Sequence, residues 1–294
     1  MATLKVIRRR IATTKNTQKI TRAMKLVAAA RLRRAQQRIT ELRPYAEKTR
    51  EVLRSVASRM GGGSEEGAHP LLVERPVKKV LLLVLTSDRG LAGAFNSSIQ
   101  RAADRQLKEF RERGHEVTLA TVGRKGRDFF RRRSVDIRHD FTGIPEGNAE
   151  KAQEIARTLT HDFIEGEVDE VWVIFNEFKS AMTQKVVVQR VLPIPTQSSG
   201  DEPETARGGD YIFEPSREAL LDRLLPMYVE VTVFRALLDS WASEHGARMT
   251  AMDSATNNAK KMIAKLTLDY NRARQAAITK ELMEIIGGAE ALKD

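Results

Sequence analysis

Residues 4–42, "LKVIRRRIATTKNTQKITRAMKLVAAARLRRAQQRITEL", contain neither glycine nor proline. Steps alternating three and four residues from Leu4 visit Ile7, Ile11, Thr14, Gln18, Thr21, Lys25, Ala28, Leu32, Ala35, Ile39 and Leu42. That spacing is a heptad seam, apolar at both ends and polar or small in the middle. It continues through Ala46, Thr49, Leu53, Val56 to Met60, with Pro44 as the sole proline between Leu4 and Met60. A continuous helix over this stretch would reach about 85 Å at the ordinary helical rise, much longer than a small domain is wide. It ends at the glycine-rich "GGGSEEGAHP", 61–70, which reads as a linker.

A second long helix closes the chain. "SREALLDRL", 216–224, opens it with Ser216 as N-cap, and Pro226 is expected in the first turn of the long piece. Apolar residues recur at Met227, Val231, Phe234, Leu238 and Trp241. Small residues dominate 247–259, and Ile263, Leu266, Tyr270, Ala273 and Ala277 follow. Neither helix is stable alone, because each has a seam to bury. Antiparallel pairing into a coiled coil meets both needs, with the polar middle of the first helix facing the small-residue zone of the second. The small zone allows close approach but little apolar burial, so such a pair needs an enclosing surface.

Between the helices the pattern changes. Val80–Thr86, Val117–Val122, Val171–Asn176 and Lys185–Leu192 are short β-branched or apolar runs, the last read as a hairpin arm. Helical stretches at Ser97–Arg113 and Ala149–Glu165 and a short element at Lys125–Arg133 lie among them. Strand alternating with helix predicts a Rossmann-like three-layer α/β domain with a largely parallel sheet. The expected organisation is a coiled-coil helix over 1–60, a linker over 61–76, an α/β domain over 77–215 and a second coiled-coil helix over 216–294. Residues 195–215 read as an exposed loop.

Composition narrows the function. With no cysteine there are no disulfides and no thiolate metal sites, and the five histidines are too scattered for metal-ligand spacing. The longest apolar run, Val80–Leu85, is far shorter than the roughly 20 residues a bilayer needs. The basic N-terminus lacks a signal peptide's apolar core, and its helical periodicity begins almost at Met1, as in a mature element. The net charge of +11 is local: residues 1–60 hold 17 Lys and Arg against Glu41, Glu47 and Glu51, a balance of +14, leaving −3 elsewhere. Such a segment needs an acidic partner, nucleic acid or solvent. Clusters "RRR", 8–10, and "RLRR", 31–34, suit phosphates, but no aromatic precedes Tyr45 to stack bases.

Residues 84–98, "VLTSDRGLAGAFNSS", look like a nucleotide loop. They lack the lysine and hydroxyl residue of a Walker loop and the third glycine of a dinucleotide loop. "GRKG", 123–126, fails both patterns too. The expectation is that Gly90 and Gly93 turn a strand into its helix, with Asp88 and Arg89 touching each other or a partner. No nucleophile elbow, zinc-protease motif or carboxylate–histidine set is present, so neither catalytic residue nor cofactor is expected.

Four segments carry a family resemblance. "NTQKITRAMKLVAAARLRRAQ", 16–36, resembles the N-terminal helix of the γ subunit of F-type ATP synthases. "SEHGARMTAMDSATNNAKKMI", 243–263, and "YNRARQAAITKELMEIIGGAEAL", 270–292, resemble that family's C-terminal signature, and "TSDRGLAGAFN", 86–96, the opening of its middle domain. The resemblance implies an asymmetric antiparallel coiled coil inside a ring of three α and three β subunits, with the α/β domain below, near the ε subunit and the c-ring. It implies a central-stalk rotor subunit, non-catalytic itself, that couples proton-driven rotation of the c-ring to the catalytic β sites. The expected place is the cytoplasmic face of the bacterial inner membrane, peripheral. By the same resemblance Met24 lies where the shaft meets β, Arg274 and Gln275 match polar contacts to a β catch loop, and Thr279 and Glu281 share that segment. Glu244 and Arg248 match a further β-contact region, and Asp88 and Arg89 are candidates for a stator contact. The chloroplast branch's cysteine-bearing insert is absent, which excludes thiol control of that kind.

Overall fold

The computed structural model describes residues 4–58, 69–195 and 217–291. The glycine-rich 61–67 segment, most of the 195–215 loop and Ser216 lie outside the described residues. Helix α1 spans Leu4–Ser58 and includes Pro44; α5 spans Arg217–Ala291. Between them run a 3₁₀ turn, Pro70–Leu72, then β1 (Lys79–Leu85), α2 (Phe95–Glu112), β2 (Glu116–Val122), α3 (Arg124–Arg131), β3 (Ile137–Phe141), α4 (Ala149–Ile164), β4 (Glu170–Phe178) and β5 (Gln184–Leu192). The chain divides into two compact units, one of residues 1–28 and 249–294, the other of residues 29–248.

In the first unit the two helices are antiparallel. Going up α1, the partner numbers fall: Arg8 Nη2 donates to Tyr270 Oη at 2.7 Å, Thr21 and Thr256 share a hydroxyl hydrogen bond of 2.8 Å, and Lys25 Nζ meets Asp253 Oδ1 at 2.6 Å. Every seam position from Leu4 to Ala28 is buried or half-buried, and of the positions between them only Met24 is not exposed. On α5, Met252, Thr256, Ala259, Ile263, Leu266, Tyr270, Ala273 and Ala277 are likewise covered, again at alternating steps of four and three. Where two hydroxyls and an ion pair stand in for leucines, the seam gains little hydrophobic stabilisation and gains instead a fixed register.

In the second unit a five-stranded sheet has the order β3-β2-β1-β4-β5. β1, β2, β3 and β4 are parallel, and β5 returns antiparallel beside β4 as the hairpin arm. Strand alternation feeds two cores. Leu81, Leu83 and Leu85 face α4 and the first part of α5, meeting Ile155, Leu159, Phe163, Leu225, Val229 and Val233. Val80, Leu82 and Val84 face α2 and α3, meeting Phe95, Ile99, Leu107 and Phe130. Both faces of the central strand are covered, which is why it reads as a continuous apolar run.

One strand is absent from the sequence reading, and one expectation needs correction. β3, "IRHDF", is a strand that its sequence hides: an edge strand with alternating half-exposed residues has no apolar run to betray it. Pro226 lies inside α5 rather than in its first turn, because the helix already begins at Arg217.

Candidate functional site

The loop after β1 is held by its own side chains. Asn96 Oδ1 accepts from the backbone N–H of Ser87 at 3.0 Å, and Asn96 Nδ2 donates to Ser87 Oγ at 2.8 Å. The Asp88 carboxylate accepts from the backbone N–H of Arg124 at 2.9 Å and of Gly143 at 3.1 Å. Asp88 thus caps the start of α3 and ties it to the loop after β3, whereas the exposed Arg89 side chain forms no ion pair among the described residues. The geometry corrects the glycine expectation in part. Gly93 takes φ +55°, but it is Leu91, at φ +64°, and not Gly90 that makes the second left-handed step.

The "GRKG" glycines are more tightly placed. Gly123 has φ +86°, and a Cβ there would lie 2.4 Å from Thr86 O; one on Gly126 would lie 2.7 Å from Thr86 Oγ1. Thr86 Oγ1 donates to Val122 O and accepts from the Gly126 N–H, both at 2.8 Å. The two crossover loops are therefore stitched together through one buried hydroxyl.

In a dinucleotide-binding sheet the ligand crevice lies beyond the strand ends where the strand order reverses, here β1 and β4. The chain's own α5 fills it. Ser243 Oγ donates to Asn176 O at 2.9 Å, Ala247 packs in the core of that face, and Arg248 Nη2 donates to Gly90 O at 3.2 Å. Gly246 lets the helix approach closely, since a Cβ would sit 3.3 Å from Ala181 Cα and from the Phe178 ring. Arg248 also pairs with Glu244 at 2.6 Å, the two side chains only 11% and 13% exposed. Glu244 and Arg248 thus meet each other and the β1 loop.

A second cluster escaped the sequence reading. Glu146, in the turn before α4, lies 3.1 Å from Arg31 Nη1 and 3.0 Å from the buried His245 Nε2, the latter close enough for an ion pair but not aligned as a hydrogen bond. Arg38 Nη1 donates to the Glu146 carbonyl at 2.8 Å. The contact with His245, then the charge of Arg31, holds the Glu146 carboxyl below its ordinary range against the opposing effect of burial.

On the helix pair, Met24 is half-buried, while Arg274, Gln275, Thr279 and Glu281 are all exposed. Beyond Ala277 every residue of α5 whose exposure is described faces solvent, including Ile278, Leu282, Met283, Ile285 and Ile286. Among the described residues no group of His, Cys, Asp and Glu could hold a metal, and no helix is long and apolar enough to cross a membrane.

The family model described as ATP synthase matches residues 3–292. The ATP synthase gamma chain of Sorangium cellulosum is 51% identical over the full length of both chains, and that of Anaeromyxobacter dehalogenans strain 2CP-1 is 53% identical, also over the full length of both. The chain belongs to the ATP synthase gamma-chain family. Among solved structures, a chain of the Tetrahymena thermophila mitochondrial ATP synthase central stalk and c-ring superposes with TM-score 0.60 at 26% identity, covering 80% of this chain and 99% of that one. A chain of the Euglena gracilis mitochondrial ATP synthase rotor superposes with TM-score 0.61 at 16% identity, covering 94% and 98%, a likeness of fold. In this gamma chain the terminal helices are antiparallel, and the crevice at the β1–β4 switch point of the α/β domain is filled by α5.

Proposed function

We propose that this gamma chain is the rotating central stalk of a bacterial F-type ATP synthase, binding no nucleotide and catalysing nothing itself. Its paired helices turn inside a ring of α and β subunits and drive each catalytic β site through its conformations. Its α/β domain links them to the ε subunit and the c-ring at the cytoplasmic face of the membrane. The observation that carries the reading is the end of α5, where five large apolar side chains between Ile278 and Ile286 face solvent. A run of this kind on a helix marks a surface that a partner encloses.

The basic arm fits the same role. Arg8 and Lys25 are engaged with α5, but Arg9, Arg10, Lys15, Lys19 and Arg22 are exposed and free to meet acidic loops of the ring. Polar contacts of that kind can be broken and remade as a rotor turns, where apolar interlocks would hold it in one place. Met24, Arg274, Gln275, Thr279 and Glu281 are the residues proposed to meet β. Glu244 and Arg248 belong to the same proposed region, and Arg89, exposed beside the well-held Asp88, is the residue there with a side chain available to a stator loop. Coupling in this scheme is a free energy exchanged between distant sites through a stiff element.

Co-expression with the α and β subunits tests it. A complex containing the chain and hydrolysing ATP, beside an isolated chain without turnover, is the expected result. A chain that stays apart from α and β and instead binds RNA in a salt-dependent way would overturn it.

A further inference from the structure

We propose that Glu146 and Gly147 form the joint that locks α1 to the α/β domain and passes torque between them; this rests on the rotor reading above. The two helices are attached to the domain in different ways. α5 is built into the core: Leu221, Leu225, Val229, Val233 and Leu237 are at most 2% exposed beneath the sheet. From residue 29 to 49, α1 buries only Leu32, Ala35 and Thr49 among its described side chains. So few buried side chains resist separation only weakly.

Two polar contacts of α1 converge on one turn of the domain. Arg31 and Arg38 are seven residues apart, two helical turns on the same face. Arg31 takes the Glu146 carboxylate at 3.1 Å, and Arg38 takes the Glu146 carbonyl at 2.8 Å. Two attachments two turns apart hold a helix against both rotation and sliding, which one cannot do. The other carboxylate oxygen lies 3.0 Å from His245 of α5, so a single side chain joins α1, the domain and α5. Gly147 makes the approach possible. It takes φ +72°, and a Cβ there would fall 1.4 Å from Arg38 Nη1. Glu146 is therefore a positioning residue for torque transfer.

The test uses the whole enzyme in inverted membrane vesicles, carrying Glu146→Ala, Glu146→Gln or Arg31→Gln with Arg38→Gln. ATP hydrolysis and ATP-driven proton pumping are measured on the same vesicles. The expected result is hydrolysis near wild type with protons pumped per ATP falling about two- to five-fold, the scale of losing half-exposed ion pairs. Combining Glu146→Ala with Arg31→Gln alone should add little, since both break the same pair, whereas adding Arg38→Gln removes the second attachment and should lower the ratio further; exchanging the charges, Glu146→Arg with Arg31→Glu, should recover part of the ratio. If Glu146→Ala fails to assemble, Glu146→Gln decides, as it keeps the side-chain volume and removes only the charge, and both leave the backbone carbonyl that Arg38 uses. An unchanged pumping ratio in assembled Glu146→Gln and in the double arginine variant would overturn the joint. Failure of the wild-type chain to support pumping would overturn the rotor reading instead.

Discussion

Replacing Thr86 by valine keeps the shape of a buried side chain and removes only its hydroxyl. That hydroxyl donates to Val122 O and accepts from the N–H of Gly126, each at 2.8 Å, and Thr86 is 7% exposed. Valine leaves the Gly126 N–H without this partner and removes one of the two hydrogen bonds to Val122 O, which keeps the Thr86 backbone N–H at 2.8 Å. An orphaned buried donor costs about 1–3 kcal/mol, and the lost hydrogen bond adds about 1 kcal/mol net, so Thr86→Val should destabilise the α/β domain by about 2–4 kcal/mol. With a urea dependence of about 2 kcal/mol per molar, the unfolding midpoint drops by about 1–2 M. Trp172 and Trp241 both lie in this unit and report its unfolding by fluorescence. Thr86→Ser keeps the hydroxyl and should recover at least half of the loss. A Thr86→Val midpoint within about 0.3 M of wild type, well under one hydrogen bond's worth, would refute the idea that this hydroxyl stitches the two crossover loops together. So would a Thr86→Ser midpoint as low as that of Thr86→Val.

Burial pushes the Asp239 carboxyl above its ordinary range, against Arg235 and the Phe178 N–H. A carboxyl raised by folding binds its proton more readily in the native state, so its contribution to stability declines as pH rises through and above the unfolded value. Asp239→Asn should therefore gain on wild type between pH 4 and pH 7 in urea titrations; a difference moving the other way refutes the assignment. The Lys25–Asp253 pair is 40% and 47% exposed, so Lys25→Ala should cost no more than about 1 kcal/mol in thermal melts of the chain. A larger loss would mean the seam depends on that pair. Met24→Lys and Gln275→Leu should each lower coupled ATP synthesis in reconstituted enzyme more than they lower stability; unchanged coupling in both would remove these residues from the proposed β contact.

The seam was legible because a two-helix contact imposes its period on the residue types of both partners. Ile7, Thr21 and Ala28 are buried where the spacing put them, and Ile263, Leu266 and Tyr270 are covered on the opposite helix. The central strands were legible for a similar reason: "KVLLLVL" is apolar on both faces because helices cover both. The edge strand "IRHDF" was not, since a sheet edge is defended by charge. Nor was the continuation of α5 through Pro226, because a proline interior to a helix is read from sequence as a start. The Glu146 turn lay hidden for another reason. "IPEGN" reads as an ordinary turn, and what makes it a junction is Arg31 and Arg38, more than a hundred residues earlier, together with His245, about a hundred later. The β1 loop differs from phosphate loops by what it lacks, while the side chain that occupies its carbonyl, Arg248, comes from far along the chain.

The most direct measurement of the rotor proposal is rotation itself. The chain has no cysteine, and Met182, in the β4–β5 turn, is 84% exposed, so Met182→Cys gives a unique attachment point for a bead or fluorophore. With the α and β ring fixed to a surface and ATP supplied, the probe should turn in one direction, in steps, at a rate that follows hydrolysis. A probe that stays fixed or drifts without direction while the ring hydrolyses ATP would contradict it.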